Sequence, residues 1–313
     1  MTDKRTTDAA QRRAAPAEEL GRLATEQVNP RTRDLDLLAT AEVLERINDE
    51  DAGIAGAVRA AIPSIARAVE LAAERWRRGG RVVLFGAGTS GRLAALDAAE
   101  LGPTFAVPAD RYEARVAGGP QALVSAVEGS EDDLAAGTAA ANDLRDADVA
   151  FGVAASGRTP FVLAALERAR DRGAATIALA CVPHPAIARV ADVVIVVDTG
   201  PEAITGSTRM KAGSAEKLVL TAFSSTLMVK LGKVYGNLMV DVQVTNEKLQ
   251  QRAVRLVEEA TGVGPRAARR ALEDAAGEVK IAIVAVKLGL SPEEARERLE
   301  RTEGNLRRAL EEA

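Results

Sequence analysis

Four short runs of β-branched and apolar residues, each closed by a turn, constrain the middle of this chain more than any other feature. They are RVVLFGAG from Arg81, ADVAFGVAASG from Ala147, AATIALACV from Ala174 and ADVVIVVDTG from Ala191. RYEARVAGGP, from Arg111, reads as a fifth strand ending at Gly118-Gly119. Helical patterns separate them, over Leu93–Glu100, Gln121–Val127, Glu131–Asn142 and Pro160–Arg172. Strands that are apolar throughout have no water-facing side, and their alternation with helices implies a parallel sheet covered on both faces. The residues are 47% hydrophobic but only 3% aromatic. A core of Ala, Val and Leu suits helices packed closely on such a sheet. The expected fold is therefore α/β.

The remaining segments organise around that sheet. Residues 1–20 are polar and read as a loose tail. Residues 21–80 form an N-terminal helical segment. It is irregular around Asn29-Pro30 and then apolar at helical spacing through Leu37, Leu38, Ala41, Leu44 and Ile47. Ile54–Arg78 reads as a long amphipathic helix stopped by Gly79-Gly80. The α/β domain is expected over 81–250, with a long helix after GSTRMKAG near its end. A small helical module is expected over 264–313. Within it, Ser291-Pro292-Glu293-Glu294 supplies an N-cap, a proline at the first helical position and a capping-box glutamate.

Ligands of open parallel sheets sit outside the carboxyl ends of the strands. The first such end carries Gly86, Gly88 and Gly91 in the spacing G-x-G-x-x-G, the dinucleotide fingerprint. That reading also requires an acid about 20 residues on, at the end of the second strand, to hold a ribose. The second strand ends in Gly118-Gly119 instead, and Glu113 lies near its start. The nicotinamide reading is weakened accordingly. The same loop bears Thr89 and Ser90, and the loop after Val153 bears Ser156, Gly157 and Thr159. Hydroxyls, backbone N–H groups and two helix N-termini at one sheet edge suit the phosphate of a small ligand. Taken singly, each Ser or Thr also reads as a helix cap.

Other chemistries are limited by residue counts. The single cysteine, Cys181, lies in an apolar run, and the single histidine, His184, stands between Pro183 and Pro185. No internal disulfide, His-centred triad or multi-His metal site can be built from these, and no metal or cofactor is expected. Acid–base work falls to carboxylates, Lys or Tyr. The formal charge of −4 argues against non-specific nucleic-acid binding. No apolar stretch nears the ~20 residues of a membrane span, and Arg12-Arg13 is followed by no apolar export segment, so a cytoplasmic location without membrane partners is expected.

GAGTSGR and AASGRTP resemble the two ligand loops of the sugar isomerase (SIS) domain. A longer series is similar to the N-acetylmuramic acid 6-phosphate etherase family: LATEQVNPRTRDLD, GAGTSGRLAALDAAELGPTF, VAGGPQALVSAVEGSEDD, AASGRTPFV, ITGSTRMKAGSAEKLVL and GKVYGNLMVDVQVTNEKL, in order from Leu23 to Leu249. Many SIS domains carry a serine where Ala154 stands, so one phosphate hydroxyl is missing here. The resemblance implies a three-layer SIS domain with flanking N-terminal helices. It implies a sugar-phosphate substrate, cleavage of its D-lactyl ether by elimination and water addition, and a homodimer with sites near the interface. Thr89, Ser90, Ser156, Gly157 and Thr159 would bind substrate.

The same resemblance makes Glu100 and Glu131 the catalytic carboxylates, Glu100 as proton donor. Asp97, three residues earlier on the same helix, could raise its pKa by like charge. Glu131 is also explained locally, since Ser130 would cap a helix whose first turn it fills, and Glu128 competes for its role. Arg209 and Lys211 read equally well as surface charges, and Glu216 and Lys217 as facing solvent or a partner helix. A non-catalytic sugar-phosphate sensor of the glucokinase-regulator type, or a phosphosugar isomerase, would share the loops. Retention of both glutamates favours the enzyme over the sensor, and STRMKAGSAEK favours the etherase over the isomerase.

Overall fold

The computed structural model describes residues 23–242 and 247–311; the tail expected over 1–20 lies outside them. Two helices lead in, α1 (Thr40–Asp51) and α2 (Ile54–Arg77). The chain then alternates through β1 (Val82–Gly86), α3 (Gly88–Phe105), β2 (Tyr112–Val116), α4 (Gln121–Val124), α5 (Leu134–Ala140), β3 (Val149–Val153), α6 (Pro160–Asp171), β4 (Ala175–Ala180) and β5 (Val193–Val196). The long helix α7 (Lys211–Lys230) follows, then a hairpin of β6 (Val234–Tyr235) and β7 (Leu238–Met239). Five helices close the described chain: α8 (Glu247–Thr261), α9 (Pro265–Asp274), α10 (Val279–Leu288), α11 (Pro292–Arg301) and α12 (Leu306–Glu311).

The five long strands form one parallel sheet in the order β2-β1-β3-β4-β5. β1 and β3 are buried at every position. Their side chains alternate between faces, as strand geometry requires. Val82 and Leu84 join a cluster with Val69, Leu220 and Phe223 from α2 and α7, whereas Val83 and Phe85 pack with Phe161, Val162 and Leu166 of α6. The result is three layers: helix, sheet, helix. Val240 and the residues after 247 build a further apolar cluster of their own, centred on Val257, Ala282 and Val284. Asp241 ties that cluster to the end of α7, accepting from Lys233 Nζ at 2.9 Å and Lys280 Nζ at 2.8 Å.

Local expectations fared differently by element. The stop after α2 is present, with Gly79 at φ +83°, a conformation open to glycine. The Ser291 capping box forms as written. The helix expected over Glu131–Asn142 does not start at Ser130. Ser130–Asp132 is a single 3₁₀ turn, and Asp133 caps α5 by accepting from Ala136 N. Ser130, Asp132 and Asp133 are all good cap residues of similar strength, and the turn geometry gives the cap to Asp133. The hairpin around Gly236 was not anticipated, its strands being too short to show a period. Taken as one stretch, Thr40–Arg77 is long and apolar enough to cross a membrane, by length and composition. This corrects the expectation that no apolar stretch nears that length: Arg59, Arg67, Glu70 and Glu74 break the sequence into short runs, while the mean hydropathy over a longer window stays high. In the fold, α2 lays Ile65, Ala68, Val69 and Ala72 on the core and exposes Arg59, Arg67, Glu70 and Glu74.

Two contacts fix the geometry around β1. A Cβ on Gly91 would stand 2.6 Å from Val116 Cγ1 and 2.8 Å from Gly86 O, so α3 can start against the sheet only as glycine. Far along the chain, Glu50 of α1 is buried between Arg31 (2.6 Å) and Lys211 (2.7 Å) at the start of α7. The Arg31 hydrogen bond, aided by Lys211 and opposed by burial, holds its carboxyl at about 2.

Gly91→Ala is expected to lower stability by about 1–3 kcal/mol through overpacking. Gly56→Ala, where nothing stands within 4 Å, should gain roughly 0.5–1 kcal/mol from helix propensity; urea midpoints would separate them. Glu50→Gln leaves the Lys211 ammonium buried and unpaired, and should cost about 3–5 kcal/mol. Because the folded pKa of Glu50 is depressed, its contribution is complete above the unfolded value of 4.5 and disappears as pH falls toward about 2. Denaturation at a series of pH values should show that acid limb in the parent and a smaller one in Glu50→Gln.

Candidate active site

The strand order reverses direction at β1: its connection to β2 runs one way and β3 lies on the other side. Such switch points open a crevice at the carboxyl edge of a parallel sheet. Gly86, Val116 and Val153 sit opposite one another in the register. The loops after β1, β2 and β3 therefore leave the same edge as neighbours, with strands about 4.8 Å apart.

The loop after β1 enters α3 at Ala87, whose side chain offers no cap. Thr89 and Ser90 occupy the first turn. Ser90 Oγ lies 2.8 Å from Glu216 Oε1. The loop after β3 makes a tight turn, with Gly157 N donating to Ala154 O. Gly157 has φ +63°, and a Cβ there would lie 2.2 Å from Pro185 Cβ, so this position requires glycine on two counts. Ser156 Oγ accepts from Arg158 N, which uses a lone pair and not the hydroxyl hydrogen. Thr159 stands at the N-cap of α6, yet its hydroxyl makes no capping bond. The first turns of α3 and α6 thus lack side-chain caps, and the simple capping account does not describe Thr89, Ser90 or Thr159. Ala154 is buried.

The third loop differs. Glu202, fully buried, accepts from Lys211 N at 2.8 Å and Ala212 N at 2.9 Å. An internal carboxylate therefore already occupies the N-terminus of α7, where dipole and free N–H groups favour an anion. This leaves α3 and α6 as the adjacent helix N-termini facing the crevice. The third loop is braced by the start of the described chain: Gly206 N donates to Thr25 O, and Asn29 Nδ2 to Pro201 O. It also closes on the first loop, since a Cβ on Gly213 would meet Thr89 Cγ2 at 3.3 Å.

Among the charged residues of STRMKAGSAEK, Arg209 is exposed and Lys217 faces solvent. Lys211 is not a surface charge, being paired with Glu50, and Glu216 does not face solvent. Glu216 is 1% exposed, with Oε2 lacking a hydrogen-bond partner among the described residues. Burial pushes its carboxyl up to about 8, the Ser90 hydrogen bond opposing and the Glu202 charge adding to the shift. One sequence signal could have revealed it: Glu216 lies on the stripe Ala212, Ala215, Val219, Leu220, Phe223, the buried face of α7.

The two expected catalytic carboxylates lie apart. Glu131, exposed on the Ser130–Asp132 turn, is placed by the loop after β2, and that turn packs on α6 near the crevice. Glu128 instead lines a cleft of about 730 Å³ beside β2, with Arg115, Gly129 and Ser130. Glu100 lies ten residues beyond Ser90 on α3, about 15 Å along the helix axis. It is exposed, in an open cleft of about 410 Å³ lined by Leu93, Leu96, Asp97, Leu220, Thr221 and Ser224. Asp97 turns inward, accepting from Tyr112 Oη at 2.8 Å and Ser224 Oγ at 3.0 Å, and burial raises its pKa. The register therefore brings the loops bearing Thr89, Ser90, Ser156, Gly157 and Thr159 to one edge, the Glu131 turn packs on α6, and Glu100 lies on a flank.

Comparison with known proteins fits this architecture. Residues 64–170 match the glucokinase regulatory protein N-terminal SIS domain, 126–225 the SIS domain, and 236–280 the C-terminal lid domain of glucokinase regulatory protein. A phosphoheptose isomerase from Francisella tularensis has the same fold, with a TM-score of 0.50 at 20% identity, over 61% of this chain and all of that one. The N-acetylmuramic acid 6-phosphate etherases of Yersinia pestis (strain Pestoides F) and Yersinia pseudotuberculosis serotype O:3 (strain YPIII) are each 52% identical over 293 residues, covering 93% of this chain and 99% of theirs. An identity of this extent, over nearly the whole length of both chains, makes the chain a member of the N-acetylmuramic acid 6-phosphate etherase family.

Proposed function

We propose that this protein cleaves the D-lactyl ether of N-acetylmuramic acid 6-phosphate, giving N-acetylglucosamine 6-phosphate and D-lactate. The observation that carries the reading is the pair of side-chain-uncapped helix N-termini at the β1/β3 switch point, bearing Thr89, Ser90, Ser156 and Thr159 beside an α7 N-terminus already filled by Glu202. This is where the substrate's phosphate is proposed to sit, with Gly157 letting the backbone approach.

The ether at C3 is a poor leaving group. Opening the sugar ring exposes an aldehyde at C1, which acidifies the proton on C2. Removal of that proton and loss of lactate from C3 form a C2–C3 double bond, the departing oxygen taking a proton from an acid. Water then adds across the double bond, restoring hydrogen at C2 and placing a hydroxyl at C3. No electrons are exchanged with a cofactor in this sequence; the protein's task is to hold and move protons. Glu131, on the crevice turn, is proposed as the base, and Glu100 as the donor to the lactyl oxygen.

Glu100 stands about 15 Å of helix from Ser90, away from the phosphate contacts proposed for its own crevice. A homodimer resolves this. The flank around Glu100 exposes Leu96 at 50% and, on α7, Leu218 at 41%. A second copy seated there would cover Glu100 and bring it to the partner's crevice. The location proposed is cytoplasmic, where amino-sugar phosphates are processed, and the pathway is peptidoglycan recycling.

Incubation with the phosphorylated muramic sugar should release D-lactate, and Glu100→Gln or Glu131→Gln should each lower kcat by roughly 10²–10⁴-fold. A fully active Glu100→Gln would remove its role. Light scattering should give a dimer, and a monomer at assay concentration would refute the shared site. Mixing inactive Glu100→Gln with inactive Ser156→Ala should restore about a quarter of parental activity if the two residues serve one site from different copies. No recovery places them in the same copy.

A further inference from the structure

Glu216 is a buried acid that the reaction above does not use. It sits on α7, yet it hydrogen-bonds Ser90 on α3, 126 residues away, at 2.8 Å. Its second oxygen is buried with no hydrogen-bond partner among the described residues. An ionised carboxylate left half-satisfied in such a place is costly, whereas a neutral acid leaves only a carbonyl-type oxygen unpaired.

The surroundings favour the neutral form. Glu202, in the loop before α7, adds a like charge and is itself committed to the α7 N-terminus. Cys181, just after β4, is a thiol pushed well above its usual range by burial. Lys211 is bound to Glu50, and Asp97 of α3 to Tyr112 and Ser224. The α2 charges Arg59, Arg67, Glu70 and Glu74 lie on that helix's exposed face. No cation faces Glu216 among these groups.

A serine hydroxyl has one hydrogen to give and two lone pairs to offer. A carboxylate only accepts, so an ionised Glu216 would take the single hydrogen of Ser90. Ser90 would then meet a phosphate oxygen with lone pairs, beside a second negative charge. A neutral Glu216 can do the reverse. We propose that Glu216 is a positioning residue: as the neutral acid it donates to Ser90 Oγ, leaving the Ser90 hydrogen for the substrate's phosphate. This rests on the reading of Ser90 as a phosphate contact. It makes the first loop a donor set at neutral pH and an impaired one once Glu216 loses its proton.

The test is D-lactate release from N-acetylmuramic acid 6-phosphate across about pH 6.5 to about pH 9.5, where the phosphate stays largely dianionic at the upper end, its second pKa being about 6. In the parent, KM should rise roughly tenfold for each pH unit above the Glu216 ionisation. Glu216→Gln keeps the side chain's shape and a permanent donor. Its KM at neutral pH should stay within about threefold of the parent, and the alkaline rise should vanish. Glu216→Ala should raise KM throughout, with no such rise and little change in kcat.

A parental KM flat across this range, or a Glu216→Gln variant that keeps the rise, overturns the proposal. Ser90→Ala separates the two failures. If it raises KM while Glu216→Gln still tracks the parent, the phosphate contact stands and the role of Glu216 falls. If Ser90→Ala leaves KM unchanged, the phosphate reading of the first loop falls as well.

Discussion

Gly86 and Gly91 touch, and the placement of the whole site follows from that contact. A helix that starts directly against the strand before it needs two residues without side chains where backbone meets backbone. With both present, α3 leaves the edge of the sheet beside Val116 and Val153, and its first-turn N–H groups face the crevice. The β3 loop meets it from the other side of the switch point, held by the contact of Gly157 with Pro185. Steric exclusion thus does the positioning, and the hydroxyls of Thr89, Ser90, Ser156 and Thr159 are carried along by it.

Buried carboxylates do the complementary electrostatic work, each differently. Glu50 is ionised between Arg31 and Lys211 and anchors α1 to the start of α7. Glu202 satisfies the α7 N-terminus, so that helix attracts no ligand anion. Glu216, without a cation, is held toward its neutral form and meets Ser90. Three acids of similar chemistry therefore serve as an ion-pair partner, a helix cap and a hydrogen-bond donor, and their surroundings decide which.

Much of this was legible in the sequence where periodicity or sterics speak locally. The strands could be read because a doubly covered parallel sheet leaves no polar alternation, and the two glycine-rich crevice loops because glycine and hydroxyl residues cluster at strand ends. The start of α5 was misplaced since Ser130, Glu131, Asp132 and Asp133 are all plausible near a helix start, and only geometry selects Asp133. Lys211 and Glu216 were misread for a different reason. A charged residue is usually exposed, and what overrides that default here is a partner far along the chain, Glu50 for one and Ser90 for the other. The separation between Glu100 and Ser90 along α3 was also hidden, because family resemblance assigns a role without fixing a position in space.

The bracing of the third loop has a consequence for how the molecule is made. Its ties span 172 residues from Asn29 to Pro201 and 161 from Glu50 to Lys211, and the Ser90 contact spans 126. Long-range contacts like these form only after the intervening chain has been ordered. A growing polypeptide that has emerged through β4 has strands and glycine turns but lacks the acid that orients Ser90. Competence to hold a ligand thus arrives late in synthesis, when α7 docks and the two ends of the crevice meet.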